Sequence, residues 1–460
     1  MSPGSIALAL GGLHRDLHVL GPDDLVGRDP GQDPENLGAG VLCAPSSVEA
    51  TVALVKWCAE HSIPVVPQGG RTSLAGGAVS RPGQVILSSQ RLTRIEELDA
   101  SGRTATVQAG VILQVLQDAA ARYGLAPGID LGARGSATMG GMAATNAGGI
   151  LAFRNGVMRH QILGLEAVLP DGRVMSDLTQ VVKVSAGPDL KHLFIGAEGA
   201  LGFITRLVVK LDSLRPARAS AIVGVKDARS ALDIASRLSG RPGIVLEAAE
   251  MMWPLFTIAT ADEQKFDLSW LSAGAASFIV EVSASSEDEA RQQLEAGLAE
   301  LWDEADVRGC IVAQSAEQGR RIWALREESF FVPKLHRHVL EFDISIPPAS
   351  LDRYVAQLGD RLLALAPGIS LYVYGHIADG NLHIAVASNS TMLDERQVEG
   401  ALYRGIAEIG GSFSAEHGVG FKKRHGYETF ADEVKRSLAL QIKRELDPGN
   451  LFNPGKVPFA

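Results

Sequence analysis

The chain is short of cysteine. Three occur in 460 residues, Cys43, Cys58 and Cys310, and none sits in a CxxC spacing. This excludes an iron–sulfur cluster built on cysteine motifs within the chain and points to a reducing, cytoplasmic setting. Positive charge is also scarce. Lys and Arg number 43 against 53 Asp and Glu, a net charge of −10. A nucleic-acid partner needs a basic face to release counterions, so none is expected. No run of about 18 apolar residues is found, so no transmembrane segment is expected. MSPGSIALALGGLHRDL lacks the basic stretch that opens a secretory signal. Peripheral membrane association and a homodimer both stay open at this point.

What the chain has in quantity is glycine, 50 residues and clustered. The length exceeds what one hydrophobic core usually supports, and the text divides accordingly. Residues 1–40 read as a helical lead ending in GRDPGQDPENLGAG. Residues 41–214 alternate β-rich and helical runs. Ser46, with Glu49 three residues on, has capping-box spacing before the helical pattern that runs to His61. IPVVPQGG and RTATVQAGV read as strands, ILQVLQDAAARYG as a helix. Residues 215–425 continue with AIVGV, DARSALDIASRL, SFIVEVSA, SEDEARQQLEAGLAELW, a helix holding Trp323 and Arg326, VLEFDISIP, a helix from Leu351, and SLYVYGHI. Strands crossed by single helices suggest a second α+β domain of ferredoxin-like character. Residues 426–460 form a C-terminal segment ending in Pro/Gly-rich text.

Two segments carry the glycine, VVPQGGRTSLAGGA (65–78) and GARGSATMGGMAATNAGG (132–149). Each lets successive backbone N–H groups converge without interference from Cβ, the arrangement that holds diphosphate oxygens. Neither fits GxGxxG between strand and helix, nor GxxxxGK[ST], which disfavours a Rossmann fold and a P-loop. A pair of tight turns with no ligand is the plain alternative.

A third informative stretch is YVYGHIADGNLHIAV, with FSAEHGVG further on. Asp379-Gly380 is a two-residue hairpin signal. Folded there, His376 faces His383 with Cβ atoms roughly 4.5–5.5 Å apart. That separation suits two imidazoles on one metal, and Glu416 would add a carboxylate with positions left open. The plain alternative is two ordinary sheet histidines.

PQGGRTSLAGGA and GARGSATMGGMAATNAGG are followed by LGLEAVLPDGRV, DLKHLFIGAEGALGFIT and LDPGNLFNPGKV. In this order the five motifs resemble the FAD-dependent D-2-hydroxyacid dehydrogenases, the D-lactate, glycolate and D-2-hydroxyglutarate enzymes of the vanillyl-alcohol oxidase superfamily. The resemblance spans the chain after residue 40. It implies an α+β protein with a vanillyl-alcohol-oxidase-type FAD-binding domain, a ferredoxin-like substrate domain, and a C-terminal return to the first. It also implies that Pro67, Gly69, Gly70, Arg71, Thr72 and Ser73 cradle the FAD diphosphate. Gly135, Ser136, Met139, Gly140, Gly141 and Asn146 would line the other side, Ile204 would contact the cofactor by backbone, and Asn453 would reach back to the flavin domain. Neither glycine loop contains a His or Cys of the kind that anchors flavin in some relatives, so the FAD is expected to be non-covalent.

The same resemblance gives the triad His376, His383 and Glu416 a divalent metal, zinc or manganese, and makes His417 the general base. A histidine titrates near working pH, and a metal on the substrate hydroxyl would share the task. Arg326 matches a WxxR position that grips the carboxylate of a small 2-hydroxy acid; without the resemblance it would be a solvated helix arginine. Electrons would leave to an external acceptor, a quinone or an electron-transfer flavoprotein. Two departures stand out. Glu341 in VLEFDISIP occupies a place where hydroxyglutarate enzymes often have Lys, and a carboxylate there would repel a second substrate carboxylate. Pro188 in SAGPDLK replaces a Tyr. The competing readings are the FAD subunit of a glycolate-oxidising complex and a transferase like the alkyl-glycerone-phosphate synthases, although the HHH run of the latter is missing.

Overall fold

A computed structural model describes residues 1–327, 331–390 and 392–456. The chain divides into two units: residues 1–149, 154–214 and 416–460 form the first, and residues 150–153 with 215–415 the second. The lead 1–40 belongs to the first unit and contains a strand, β1 (Leu17–Leu20), within what was expected to be a helical lead. The chain re-enters the first unit at Glu416, ahead of the boundary expected after 425.

In the first unit β1, β2 (Leu42–Pro45), β3 (Val65–Gln68) and β4 (Val85–Ser88) form a sheet in the order β1-β2-β4-β3. β4 is parallel to both β2 and β3, and β1 is antiparallel to β2. β2 and β3 run parallel with β4 between them, so they need a crossover connection, and the helix Val48–Glu60 supplies it. Ser47 rather than Ser46 caps that helix, accepting from the Ala50 N–H at 3.2 Å, because the Ser46 N–H and hydroxyl are both turned to the Asp16 carbonyl. The helix buries Ala50, Leu54, Val55 and Cys58 against Cys43, Val65, Val85 and Leu87. Burial holds the Cys58 thiol up at about 12, so this cysteine acts as a core residue without thiolate chemistry.

A second, antiparallel sheet follows: β5 (Ile95–Asp99), β6 (Thr104–Gln108), β7 (Leu125–Pro127), β8 (Ile162–Val168), β9 (Val174–Asp177) and β10 (Phe203–Ser213). Its order is β5-β6-β10-β8-β9, with β7 also on β10. The C-terminal segment is woven into this unit. The Val65 N–H donates to the Leu451 carbonyl and the Asn453 N–H to the Val65 carbonyl, both at 2.8 Å, and Phe452 is fully buried.

The second unit is built on one antiparallel sheet: β11 (Arg218–Val225), β12 (Val245–Met252), β13 (Ala276–Ser283), β14 (Cys310–Val312), β15 (His338–Ser345), β16 (Ser370–His376) and β17 (Asn381–Ser388), in the order β14-β11-β13-β12-β16-β17-β15. The helices Pro254–Gln264 and Ala316–Glu327 pack on the face that carries Ile222, Met252, Ile279, Tyr372 and Ala385. Strand alternation puts Glu250, Tyr374, His376, His383, Asp343 and Glu341 on that same face. Among the described residues no helix is long and apolar enough to cross a membrane.

Candidate active site

In the first unit the two glycine loops meet at a cavity of about 400 Å³, a size typical of ligand pockets. Of the residues expected to hold FAD, Pro67, Gly69, Gly70, Arg71, Thr72, Ser73, Gly140, Gly141 and Ile204 line it, together with Glu416 and His417. Gly135, Ser136, Met139, Asn146 and Asn453 are not in the lining. Met139 is fully buried in the hydrophobic core. Asn146 caps the helix Met139–Thr145 in a left-handed conformation. Asn453 reaches back within this unit, its Nδ2 donating to the carbonyls of Gly77 and Glu198 at 3.2 and 2.7 Å.

The glycines serve a purpose beyond the one expected. A Cβ on Gly70 would stand 2.0 Å from the Ser136 carbonyl oxygen, and one on Gly69 2.3 Å from Thr138 Oγ1. The two loops therefore touch backbone to backbone, and Ser136 acts in that contact rather than in the lining. Around the cavity Gln68 Oε1, Arg71 Nε, Ser73 Oγ and Ser89 Oγ are buried with no hydrogen-bond partner among the described residues. Unmet polar atoms of this kind call for a ligand rich in hydrogen-bonding groups. Pro188 lies apart, in the exposed stretch 181–190.

Sequence reasoning missed Glu198, which also lines the cavity. Its two carboxylate oxygens accept the Val419 and Gly420 N–H groups at 2.7 Å each. Burial pushes its carboxyl up to about 7, opposed by those two bonds and by Lys423 and Lys456.

In the second unit the histidines come together by a different register from the one expected. β16 and β17 pair Tyr374 with His383, two residues off the ladder that a two-residue turn would give. A type I′ turn needs positive φ at both central residues, and only Gly380 has it, at 78°. Residues 377–380 form a longer loop instead. The Ile377 N–H donates to the Ala249 carbonyl at 3.2 Å, and the Gly380 carbonyl accepts from Ile346 N–H at 2.8 Å. A slip of two keeps each side chain on its face, so His376 and His383 remain neighbours, ring centroids 5.5 Å apart and edge to face.

Each ring has a carboxylate beside it, at hydrogen-bond distance for His376 and only at ion-pair distance for His383. His376 Nδ1 lies 2.5 Å from Glu250 Oε1, and His383 Nδ1 is 3.9 Å from Asp343 Oδ1. A carboxylate at Nδ1 fixes the ring so that Nε2 faces a metal. Asp343, fully buried, also accepts from Asn381 Nδ2 at 2.8 Å and from the Ala415 N–H at 3.2 Å. Glu250 is the second residue that sequence reasoning missed. Its other oxygen takes Arg326 Nε at 2.8 Å, and the Arg326 guanidinium stacks 4.7 Å from the centre of the Tyr374 ring. Burial alone would raise the Glu250 carboxyl, but His376 and Arg326 outweigh it and hold it down near 2. The second unit thus gathers Arg326, His376 and His383 around one buried anion, while Glu416 and His417 belong to the first. Glu341 stands opposite Ala385 on the edge strand β15 with its side chain exposed, and partial desolvation by its surroundings raises its carboxyl.

Residues 39–177 match the family model described as FAD binding domain, and residues 214–457 match FAD linked oxidases, C-terminal domain. The chain belongs to the FAD-linked oxidases. This FAD-linked oxidase is 31% identical over 431 residues to a probable mitochondrial D-2-hydroxyglutarate dehydrogenase of Oryza sativa subsp. japonica, covering 91% of this chain and 75% of the relative. It is likewise 31% identical to a D-2-hydroxyglutarate dehydrogenase of Xanthomonas citri pv. viticola (90% and 88% covered). Identity to the mitochondrial D-2-hydroxyglutarate dehydrogenase of Bos taurus is 32% (95% and 84%). Among solved structures, p-cresol methylhydroxylase with substrate bound superposes at a TM-score of 0.72 with 16% identity, covering 99% of this oxidase and 96% of that chain. An alkyldihydroxyacetonephosphate synthase gives 0.66 with 18% identity (91% and 77%). At such identities these two establish the shared fold alone.

Proposed function

We propose that this FAD-linked oxidase converts a D-2-hydroxy acid to the 2-oxo acid, with the FAD held non-covalently and the electrons passed on to a quinone or an electron-transfer flavoprotein. The observation that carries the reading is the Glu250 carboxylate, which holds a guanidinium suited to a substrate carboxylate and an imidazole suited to a metal. The names of the relatives, D-2-hydroxyglutarate dehydrogenases, support the same chemistry.

FAD, when bound, supplies the acceptor for the hydride leaving C2, at its N5. In the first unit Gly69, Gly70, Arg71, Thr72 and Ser73 would hold its diphosphate. Arg326 grips the acid group through the part of its guanidinium not engaged by Glu250, and so fixes C2. His417 takes the hydroxyl proton. His376, His383 and Glu416 are the residues for a zinc or manganese ion, which would lower the pKa of that hydroxyl. Glu341, on the same sheet face as His383, opposes a second carboxylate on the substrate. The preferred acid is therefore monocarboxylic, such as lactate, or has a neutral or cationic tail.

Anaerobic flavin reduction by a panel of D- and L-2-hydroxy acids, with and without chelator, tests this reading. Bleaching by D-acids, slowed by chelator and faster with D-lactate than with D-2-hydroxyglutarate, is expected. Reduction by L-acids alone, or by none, overturns the function; faster reduction by D-2-hydroxyglutarate overturns the role of Glu341.

A further inference from the structure

Position 198 is one where the backbone asks for glycine and the sequence supplies glutamate. Gly196 and Gly199 run through the left-handed region at φ 83° and 74°, and Glu198 joins them at 49°. A residue with a Cβ is disfavoured there, and such strain persists where the surroundings enforce it. The surroundings do so: the Glu198 N–H donates to the Ala144 carbonyl at 2.8 Å, and its own carbonyl accepts from Asn453 Nδ2 at 2.7 Å. If the main chain were all that mattered, glycine would serve at 198 as it does at 196 and 199.

The side chain has a specific task. Its two oxygens take the consecutive N–H groups of Val419 and Gly420. Gly418 and Gly420 are left-handed at φ 74° and 52°, a local geometry that aims successive N–H groups at one anion. A Cβ on Gly418 would stand 2.8 Å from Glu198 Oε1, and one on Gly420 2.0 Å from the Ala75 carbonyl oxygen. The same carbonyl accepts the Phe421 and Lys422 N–H groups at 3.2 Å. The turn is thus fastened on two sides, and the residues just before it are Glu416 and His417.

We infer that Glu198 is a positioning residue for His417: its carboxylate clamps the turn 418–420 and thereby fixes where His417 and Glu416 stand in the lining of the cofactor cavity. The inference rests on the reading of His417 as the base. Glu198 acts through the backbone of its neighbours and takes no proton from the substrate.

The test uses the FAD-loaded protein with Glu198→Gln and Glu198→Gly. The first sets an NH2 group against one of the two N–H donors; the second removes the carboxylate and relieves the left-handed strain. In Glu198→Gly both the Val419 and Gly420 amides, and in Glu198→Gln at least one of the two, should exchange with deuterium about tenfold faster or more, as expected for loss of a charge-assisted bond. In both variants, kcat should fall by about tenfold or more with KM for the hydroxy acid little changed, the signature of lost transition-state alignment. FAD content and Tm are measured alongside, and the loss of kcat should exceed any change in either. Unchanged exchange at Val419 and Gly420, or a loss of kcat that merely follows loss of FAD or of Tm, overturns the inference. Exchange needs no turnover, so if no hydroxy acid reduces the wild-type flavin, the functional reading falls while the clamp is still decided.

Discussion

Glu250 sits between a guanidinium and an imidazole at 1% exposure, and each partner depends on it. Replacing one member of a buried ion pair leaves the other charge without compensation, at a cost of about 3–5 kcal/mol. A carboxylate behind a metal-binding histidine is worth on the order of 10–100-fold in metal affinity. On the proposed reading, in which His376 holds zinc or manganese, Glu250→Gln should weaken metal binding by that factor and raise KM for the hydroxy acid, with FAD content retained; calorimetric metal titration and steady-state kinetics read both. Glu166 shows a carboxylate with a purely structural task. It accepts from Thr205 Oγ1 and Arg206 Nε, each at 2.8 Å. Burial alone would raise its carboxyl, but the bonds from Arg206 and Thr205 outweigh it, and the folded value lies below the ordinary 4.5. Its contribution is complete above about pH 4.5 and is lost as pH falls through the lowered folded value. The stability gap between wild type and Glu166→Gln in urea should be full at neutral pH and shrink progressively below about 4.5.

At the scale of elements, the contact between the two glycine loops makes the cofactor cavity. Gly70→Ala would drive a methyl into the Ser136 carbonyl and part the loops, an overpacking cost of about 1–3 kcal/mol. Gly135→Ala, with nothing within 4 Å of its Cβ, should be tolerated. The ratio of bound FAD to protein, taken from absorbance, should drop in the first variant and hold in the second. The loops were legible because glycine clusters are a signal of their own, and the strands bearing His376 and His383 were legible from the Asp379-Gly380 hairpin signal between them. The register of that hairpin was not. Asp-Gly favours a tight turn locally, but bonds from Ile377 to Ala249 and from Gly380 to Ile346 reach to other strands and decide the loop. β12 was invisible for a related reason. VLEAAEMM is written largely in helix formers, and its place between β13 and β16 makes it a strand. Missing that strand meant missing Glu250. Glu198 was hidden because its partners lie more than 200 positions away.

For the whole molecule, the FAD-binding model ends at residue 177, yet the first unit does not end there. Lys443, buried, bonds to Asp447 and to the carbonyls of Ala200 and Phe452, the two carbonyls at 2.8 Å. Residues 451–453 sit against Val65 at the start of the strand that leads into the first glycine loop. A chain truncated after Asp432 keeps every residue of the 39–177 match and should still be isolated without flavin, because the loop loses its support and Leu451 and Phe452 leave the core. Absorbance at the flavin band, with and without added FAD, checks this.

The three-piece make-up of the first unit also has a consequence in time. The pieces 1–149 and 154–214 are synthesised early, and the third, 416–460, emerges only after the second unit has been made. At about 5–20 residues per second, that interval is roughly 10–40 s. Throughout it β3 has one neighbour, β4, and the polar groups of Val65 wait for a partner not yet translated. The nascent protein therefore passes through a window in which the Val65 end of this strand edge is open to pairing with other chains.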